Sequence, residues 1–389
     1  MSKWNFFIKF FVQHDLSKMG FSNITSQIIY GLFWIFIANI MSVENYGELS
    51  YLVAIGTITS TLCLIGGPQT LMVFAAKGIK IQRPLITISL LITSFASVII
   101  FLIFSDIHVM IFIIGTVIFT IVTSELLGLK LYGQFAKNIL IQRILSVCLA
   151  ILLYYVIGYP GIILGIGISY LIFIKRIIDI LRTYPKNYFL IKSKNKFILS
   201  SYGVDASKIF ATQLDKLFIM PLLGMELLGN YYLGVQILAI GIALPGTVFQ
   251  YLVPKESSGE QVKKLKIINV LFSSLLVGLG VLLIPIIFPI AFPNYIESVT
   301  MIQIMIIALI PATINLMFSS RFYAIEKSNL IFIGSGISIL IQIPLLIILG
   351  TMWQGIGLAI ALVLAYSGES IYFCIISKII KRNEYSNNT

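Results

Sequence analysis

The stretch Ser201–Leu222, SYGVDASKIFATQLDKLFIMPL, is long and apolar enough to cross a bilayer, yet it holds Asp205, Lys208, Asp215 and Lys216. At about 100° per residue, Ser201, Asp205, Lys208, Thr212, Asp215 and Lys216 gather within roughly a 100° arc of one helix. A charge near the centre of a membrane helix costs at least about 2.5 kcal/mol, so such a face needs a partner or a wet cavity. Two readings are open at this point. The face is either a set of self-neutralising ion pairs buried between helices, or the polar wall of a solvent-filled path.

Composition narrows the surroundings. The 389 residues are 58% hydrophobic and only 11% charged, with a mean hydropathy of +1.00, whereas soluble domains carry about 25% charged residues. Apolar runs recur at spanning length and are continuous, without the alternation of barrel strands, which gives an all-α integral membrane protein. The net charge of +12 is spread over many short loops, a positive-inside distribution rather than a nucleic-acid surface. Cys63, Cys148 and Cys374 all fall in apolar spans and read as buried free thiols. His14 and His108 are far apart, so no metal is expected. No cofactor is expected either, and no G-x-x-x-x-G-K-[ST] loop points to ATP hydrolysis.

The opening MSKWNFFIKFF pairs aromatics with Lys3 and Lys9 and reads as an interfacial segment, 1–18, not a cleaved signal peptide. About twelve spans follow. The first six are predicted near 19–41, 46–76, 84–104, 109–129, 136–157 and 161–181. The second six are predicted near 198–222, 228–253, 265–289, 296–320, 328–349 and 354–380. The expected domains are an N-terminal six-helix lobe, 1–181, a basic cytoplasmic connector, 182–196, and a C-terminal six-helix lobe, 197–389. Gly66-Gly67-Pro68 interrupts the second span and predicts a kink, serving as a hinge or for packing.

Of the 27 Lys and Arg residues, 24 fall on one side of this arrangement, while Arg143, Lys208 and Lys216 lie deeper within spans. The other side shows only Glu44, Asp106, Glu226 and Glu297. Both termini are therefore expected in the cytoplasm. The short outer loops leave no room for a catalytic domain.

The halves match at an offset of 182 residues: Glu44-Asn45-Tyr46-Gly47 and Glu226-Leu227-Leu228-Gly229 place E-x-x-G in equivalent outer turns. The same register sets Asn23, Ser26, Tyr30 and Trp34 opposite Asp205, Lys208, Thr212 and Lys216, each set the polar face of its own helix. At a different offset, Gly161-Ile162-Ile163-Leu164-Gly165 parallels Gly355-Ile356-Gly357-Leu358-Ala359. Six helices per repeat keep both halves in one orientation, so the expected pseudo-two-fold axis lies along the membrane normal. Two bundles about such an axis enclose a cavity, which favours the translocation-path reading of Ser201–Leu222.

Arg143 either snorkels to the headgroups or turns inward and adds a positive charge to the lumen. Glu369, near Tyr366 and Ser370, has no basic residue close by on its own helix and is a candidate for proton or ion coupling. Glu48 and Glu125 lie near helix ends and are expected to be hydrated.

The turn Glu44–Gly47, the Leu214-Asp215-Lys216 triplet and the Gly355-Ile356-Gly357-Leu358-Ala359 opening of the last helix resemble Wzx-type polysaccharide flippases. These belong to the multidrug/oligosaccharidyl-lipid/polysaccharide (MOP) exporter superfamily. The resemblance extends along the whole chain through helix number and the six-plus-six division. It implies an inner-membrane carrier, not an enzyme, that moves polyprenyl-diphosphate-linked oligosaccharide to the outer leaflet by alternating access. Its implied partners are the lipid-linked substrate, membrane lipids and other polysaccharide-assembly proteins.

On that resemblance Lys208, Lys216 and Arg143 would face the diphosphate, with Asp205, Asp215 and Thr212 alongside. Asn23 and Ser26 would share the lumen, where Tyr30 and Trp34 offer ring faces to sugars. Related flippases often carry a basic residue in the first helix, whereas no charge lies here between Lys18 and Glu44. The alternatives are a multidrug or cation exporter of the same superfamily, which usually has an acidic residue in helix 1, and a polytopic polymerase or ligase of polysaccharide assembly.

Overall fold

A computed structural model describes residues 15–257, 262–325 and 327–386. Residues 1–14 of the expected interfacial segment lie outside these. All described elements are helical. The first eight are α1 Asp15–Ile40, α2 Val43–Cys63, α3 Gly67–Ala76, α4 Gln82–Phe104, α5 Ile107–Gly128, α6 Tyr132–Ile157, α7 Pro160–Tyr170 and α8 Ile174–Thr183. They are followed by α9 Phe189–Ser193, α10 Asn195–Leu223, α11 Met225–Ser257, α12 Lys263–Ala291, α13 Val299–Ile307, α14 Leu309–Ala324 and α15 Ser328–Ser386.

Among the described residues nine helical stretches are long and apolar enough to cross a membrane, ten if the bent pair α2–α3 is one span. The chain is a multi-pass membrane protein. Two features separate these counts from the twelve expected spans. At 29 residues α10 has the length but carries the four charges of Ser201–Leu222. The backbone of α15 breaks at Gln354 (φ 48°, ψ −126°), between the last two expected spans.

Burial is inverted relative to a soluble protein. On α4, Ser89, Thr93 and Ser97 lie at i, i+4 and i+8 and are buried, while Phe95 and Leu102 are more than 70% exposed. That is the pattern of helices packed through small polar residues, with apolar side chains turned to lipid. Cys63 is buried as expected, but Cys148 and Cys374 are exposed. They sit on outward apolar faces, where a thiol serves as one more small hydrophobe.

The described residues pack as two compact units. The first takes those within Met1–Phe33 together with Leu52–Gln213; the second takes Trp34–Tyr51 and those within Leu214–Thr389. These cuts differ from the sequence boundaries at 181 and 197. Helices α1 and α10, which the repeat matches to each other, each leave one unit for the other part-way along.

In the first unit, the kink expected at Gly66-Gly67-Pro68 is a 43° bend between α2 and α3. Gly66 (φ 78°) and Gly67 (φ 68°) take the left-handed conformation there, which glycine adopts at little cost. Groups at the break find partners on both sides of it. Ser89 Oγ accepts from the Ile65 amide at 3.0 Å, Leu64 carbonyl accepts from Gly67 at 2.9 Å, Pro68 has no N–H, and the Gln69 amide donates to the Asp205 carboxylate of α10. Asp205 thus does from a distant helix what an N-cap side chain does locally. Tyr202 anchors the same part of α10, its hydroxyl donating to the Leu62 carbonyl at 2.7 Å.

The two E-x-x-G segments, expected in outer turns, instead form the first helical turns of α2 and α11, and in the second unit these face each other reciprocally. A Cβ on Gly47 would collide with the Met225 carbonyl oxygen and lie 2.9 Å from the Gly229 nitrogen. A Cβ on Gly229 would collide with the Val43 carbonyl oxygen and lie 3.1 Å from the Gly47 nitrogen. Each residue meets the partner of its own repeat mate, the mark of a local two-fold relation. The second sequence match is two residues out of register: Gly161, which abuts the Leu153 carbonyl in the first unit, has its counterpart in Gly357, which abuts the Leu349 carbonyl in the second, and not in Gly355, which faces Met301.

Candidate functional site

The polar residues of α1 and α10 divide between the units. Asn23, Ser26, Tyr30, Asp205, Lys208 and Thr212 belong to the first, and Trp34, Asp215 and Lys216 to the second.

The first unit holds a cavity of about 340 Å³ bordered by α2, α3, α5 and α10. Asp205, Lys208 and Thr212 line it from α10; Thr57, Ser60 and Thr61 line it from α2, and Thr116 and Thr120 from α5. Asp205 is 9% exposed, and its Oδ2 has no hydrogen-bond partner among the described residues. Lys208 is exposed and close enough to Asp205 to interact electrostatically. The charges at the start of the polar face are therefore a buried carboxylate with an open ammonium beside it.

Arg143 does not snorkel. Its Nε donates to Ser26 Oγ at 2.9 Å, and its guanidinium lies 4.1 Å from the centre of the Tyr30 ring. The neighbouring Gln142 donates to Ser169 Oγ at 3.1 Å, and both Arg143 and Gln142 hydrogen-bond to Tyr170. Helices α1, α6 and α7 thus close around a polar core. Asn23 is half-buried on the same helix as Ser26. Arg143 is absent from the lining of the cavity.

In the second unit, Asp215 and Lys216 form the ion pair that the bland reading described. Lys216 Nζ lies 3.1 Å from Asp215 Oδ1, with both side chains under 10% exposed. Tyr231 donates to Asp215 Oδ2 at 2.8 Å. Lys216 is 2% exposed, which places it inside the protein rather than on an open wall. Trp34 is also 2% exposed and packs edge-on against Tyr46 and Tyr232. The two ring faces expected to receive sugars are occupied by the protein itself: Tyr30 by Arg143, Trp34 by tyrosines.

Glu369 has its partner on another helix. Asn315 Nδ2 donates to Glu369 Oε2 at 2.9 Å, and Ser370 Oγ donates to Asn315 Oδ1 at 2.6 Å. The carboxylate is 9% exposed, and no cation lies within ion-pair distance of it among the described residues.

One charged pair was misread from the sequence. Glu125, expected to be hydrated, is 2% exposed and pairs with Arg176 Nε at 2.9 Å, while Tyr184 donates to its other oxygen at 3.4 Å. The signal was available in α8, IKRIIDILRT, whose Ile177 and Ile180 are buried.

Neither a protein-family model nor a curated protein matches the sequence. Solved structures do. The lipid II flippase MurJ in an inward closed conformation superposes with a TM-score of 0.77 at 16% identity, covering 92% of this chain and 87% of that one. An inward-facing multidrug resistance MATE transporter of the MOP superfamily gives 0.66 at 15%, covering 92% and 96%. The MATE transporter VcmN of Vibrio cholerae gives 0.66 at 12%, covering 95% and 97%. The chain shares its fold with these transporters. Within this fold α10, the helix read first from the sequence, carries charges in both compact units.

Proposed function

We propose that the chain is a flippase that carries polyprenyl-diphosphate-linked oligosaccharide from the cytoplasmic to the outer leaflet of the inner membrane by alternating access. The observation that carries this reading is Lys208, an exposed ammonium within a spanning-length helix, beside a hydroxyl-lined cavity, in a fold shared with a lipid II flippase. An ammonium at membrane depth is costly unless it faces a partner or a wet cavity, and such residues mark substrate paths; Lys meets phosphate as a point charge. The proposed architecture is twelve crossings in two six-helix lobes joined by the connector 182–196, with both termini cytoplasmic. No covalent step is needed.

Arg143 is a reserve of positive charge held by Ser26 and Tyr30. Glu369, set in a polar pocket on α15, is the proposed coupling group. The MATE structures favour a second reading, a drug or cation exporter of the same fold. The absence of any acidic residue between Lys18 and Glu44 weighs against it.

The test is flipping of a labelled lipid-diphosphate oligosaccharide in proteoliposomes. A contact to a charged group contributes about 1.5–3 kcal/mol, so Lys208→Ala is expected to slow flipping about tenfold or more. Glu369→Gln is expected to remove the response to an imposed proton or sodium gradient. Full activity in Lys208→Ala sinks the phosphate role of that residue, and an unaltered gradient response in Glu369→Gln sinks the coupling role. The topology has its own check. Cysteines replacing Glu44 and Glu226 in a cysteine-free background should both react with an impermeant thiol reagent from outside, and protection of either overturns the orientation.

A further inference from the structure

The cavity of the first unit is lined by hydroxyls whose protons are already committed. Thr57 donates to the Val53 carbonyl at 2.6 Å, Ser60 and Thr61 to the Thr57 carbonyl at 3.0 and 2.8 Å. Across the cavity Thr116 donates to Phe112 at 2.8 Å and Thr120 to Thr116 at 2.8 Å. Thr212 donates back into its own helix in the same way. A hydroxyl has one proton and two lone pairs, so each group that gives its proton to the backbone offers the cavity only acceptor capacity.

Asp205 also borders the cavity, a buried carboxylate whose Oδ2 is turned against Gly67 and has no hydrogen-bond partner among the described residues. The wall is thus a field of acceptors on three helices, with the Lys208 ammonium as its one cationic donor. Its complement is a ligand rich in O–H donors. A bare monovalent cation would need these oxygens converged on one point, whereas about 340 Å³ falls in the range of small-molecule sites, about 300–1,000 Å³. Phosphate and carboxylate groups are acceptors only and would meet lone pair with lone pair.

We infer that this cavity is a sugar subsite, which takes a neutral, polyhydroxylated unit of the glycan through its serine and threonine hydroxyls. This rests on the flippase reading and deepens it. The diphosphate stays outside the hydroxyl wall, at Lys208, so one helix reads both parts of the cargo. The subsite discriminates against acidic sugars.

Saturation-transfer NMR on the full chain in lipid nanodiscs free of sugar detergents tests this. The probes are methyl α-glucopyranoside, methyl β-galactopyranoside and N-acetylglucosamine, with glucuronate as the acidic control. At least one neutral probe is expected to receive saturation, and glucuronate less. Threonine and valine share a shape, so Thr116→Val/Thr120→Val removes two oxygens and little else. At about 0.5–1.5 kcal/mol per hydrogen bond, the neutral-probe signal should fall about tenfold. Ser60→Ala repeats the measurement on an independent helix should the double variant fail to fold. The inference is overturned by silence from all neutral probes, by a signal that survives both variants, or by a stronger response to glucuronate. The two readings fail separately. Flipping without sugar binding removes only the subsite, while sugar binding without flipping of any lipid-linked glycan removes the flippase.

Discussion

Replacing Gly47 or Gly229 with alanine is expected to lower the thermal stability of the folded protein sharply. In each case the new Cβ falls well inside van der Waals contact distance of a carbonyl oxygen of the facing helical turn. Both sides of the clash are main chain, so there is no flexible side-chain end to swing away. Overpacking a tight contact costs about 1–3 kcal/mol and sometimes more, and these positions belong at the upper end. Because the two glycines share one contact, the helices displaced by the first methyl already make room for the second. The double variant should therefore lose less than the sum of the singles. Gly278→Ala is the control, since nothing lies within 4 Å of its added Cβ. Fluorescence-detected size exclusion after graded heating would show it. Singles as stable as the control would remove the reciprocal contact from the account of the fold.

The second large effect belongs to Lys216. Breaking a buried ion pair by removing one partner costs about 3–5 kcal/mol, because the remaining charge stays buried without compensation. Lys216→Ala leaves Asp215 in that position beside the Tyr231 hydroxyl and the backbone amide of residue 216. The expected result is a marked loss of heat stability and yield. Replacing both charges, as in Asp215→Leu/Lys216→Met, should recover most of it, since apolar pairs of similar volume often stabilise as well as the ions they replace. A Lys216→Ala protein as heat-stable as wild type would refute the structural role and return Lys216 to the substrate path. Lys208 and Lys216, similar in sequence, are thus separated by experiment as well as by burial.

How much of this was legible in the sequence depends on what each signal reports. Hydropathy reports span length, and the expected spans at 84–104 and 109–129 fall on α4 and α5 within a few residues. Gly66-Gly67-Pro68 reports a break because its residue types have strong backbone preferences, and α2 and α3 meet there. The E-x-x-G match pointed to two equivalent turns, though not to their contact with each other. What periodicity leaves open is which neighbour a polar face meets. It grouped Asp205, Lys208, Asp215 and Lys216 on one arc, but the packing seats the first two at a cavity and closes the last two into a pair. The same gap explains Glu125, whose partner Arg176 lies on another helix, and Tyr30, whose ring was expected to await a sugar and instead holds Arg143.

The carboxylate at the broken helix has a consequence for letting cargo go. The start of α3 would otherwise present an unoccupied positive helix end beside the cavity, a ready seat for any phosphate. Asp205 fills that seat permanently, with its bond from Gln69. On the flippase reading, a passing diphosphate would find the Lys208 ammonium and no free cradle of amides there, so its stay would be short. A carrier is limited by how fast it empties as much as by how well it fills, and the resident anion at this break favours emptying.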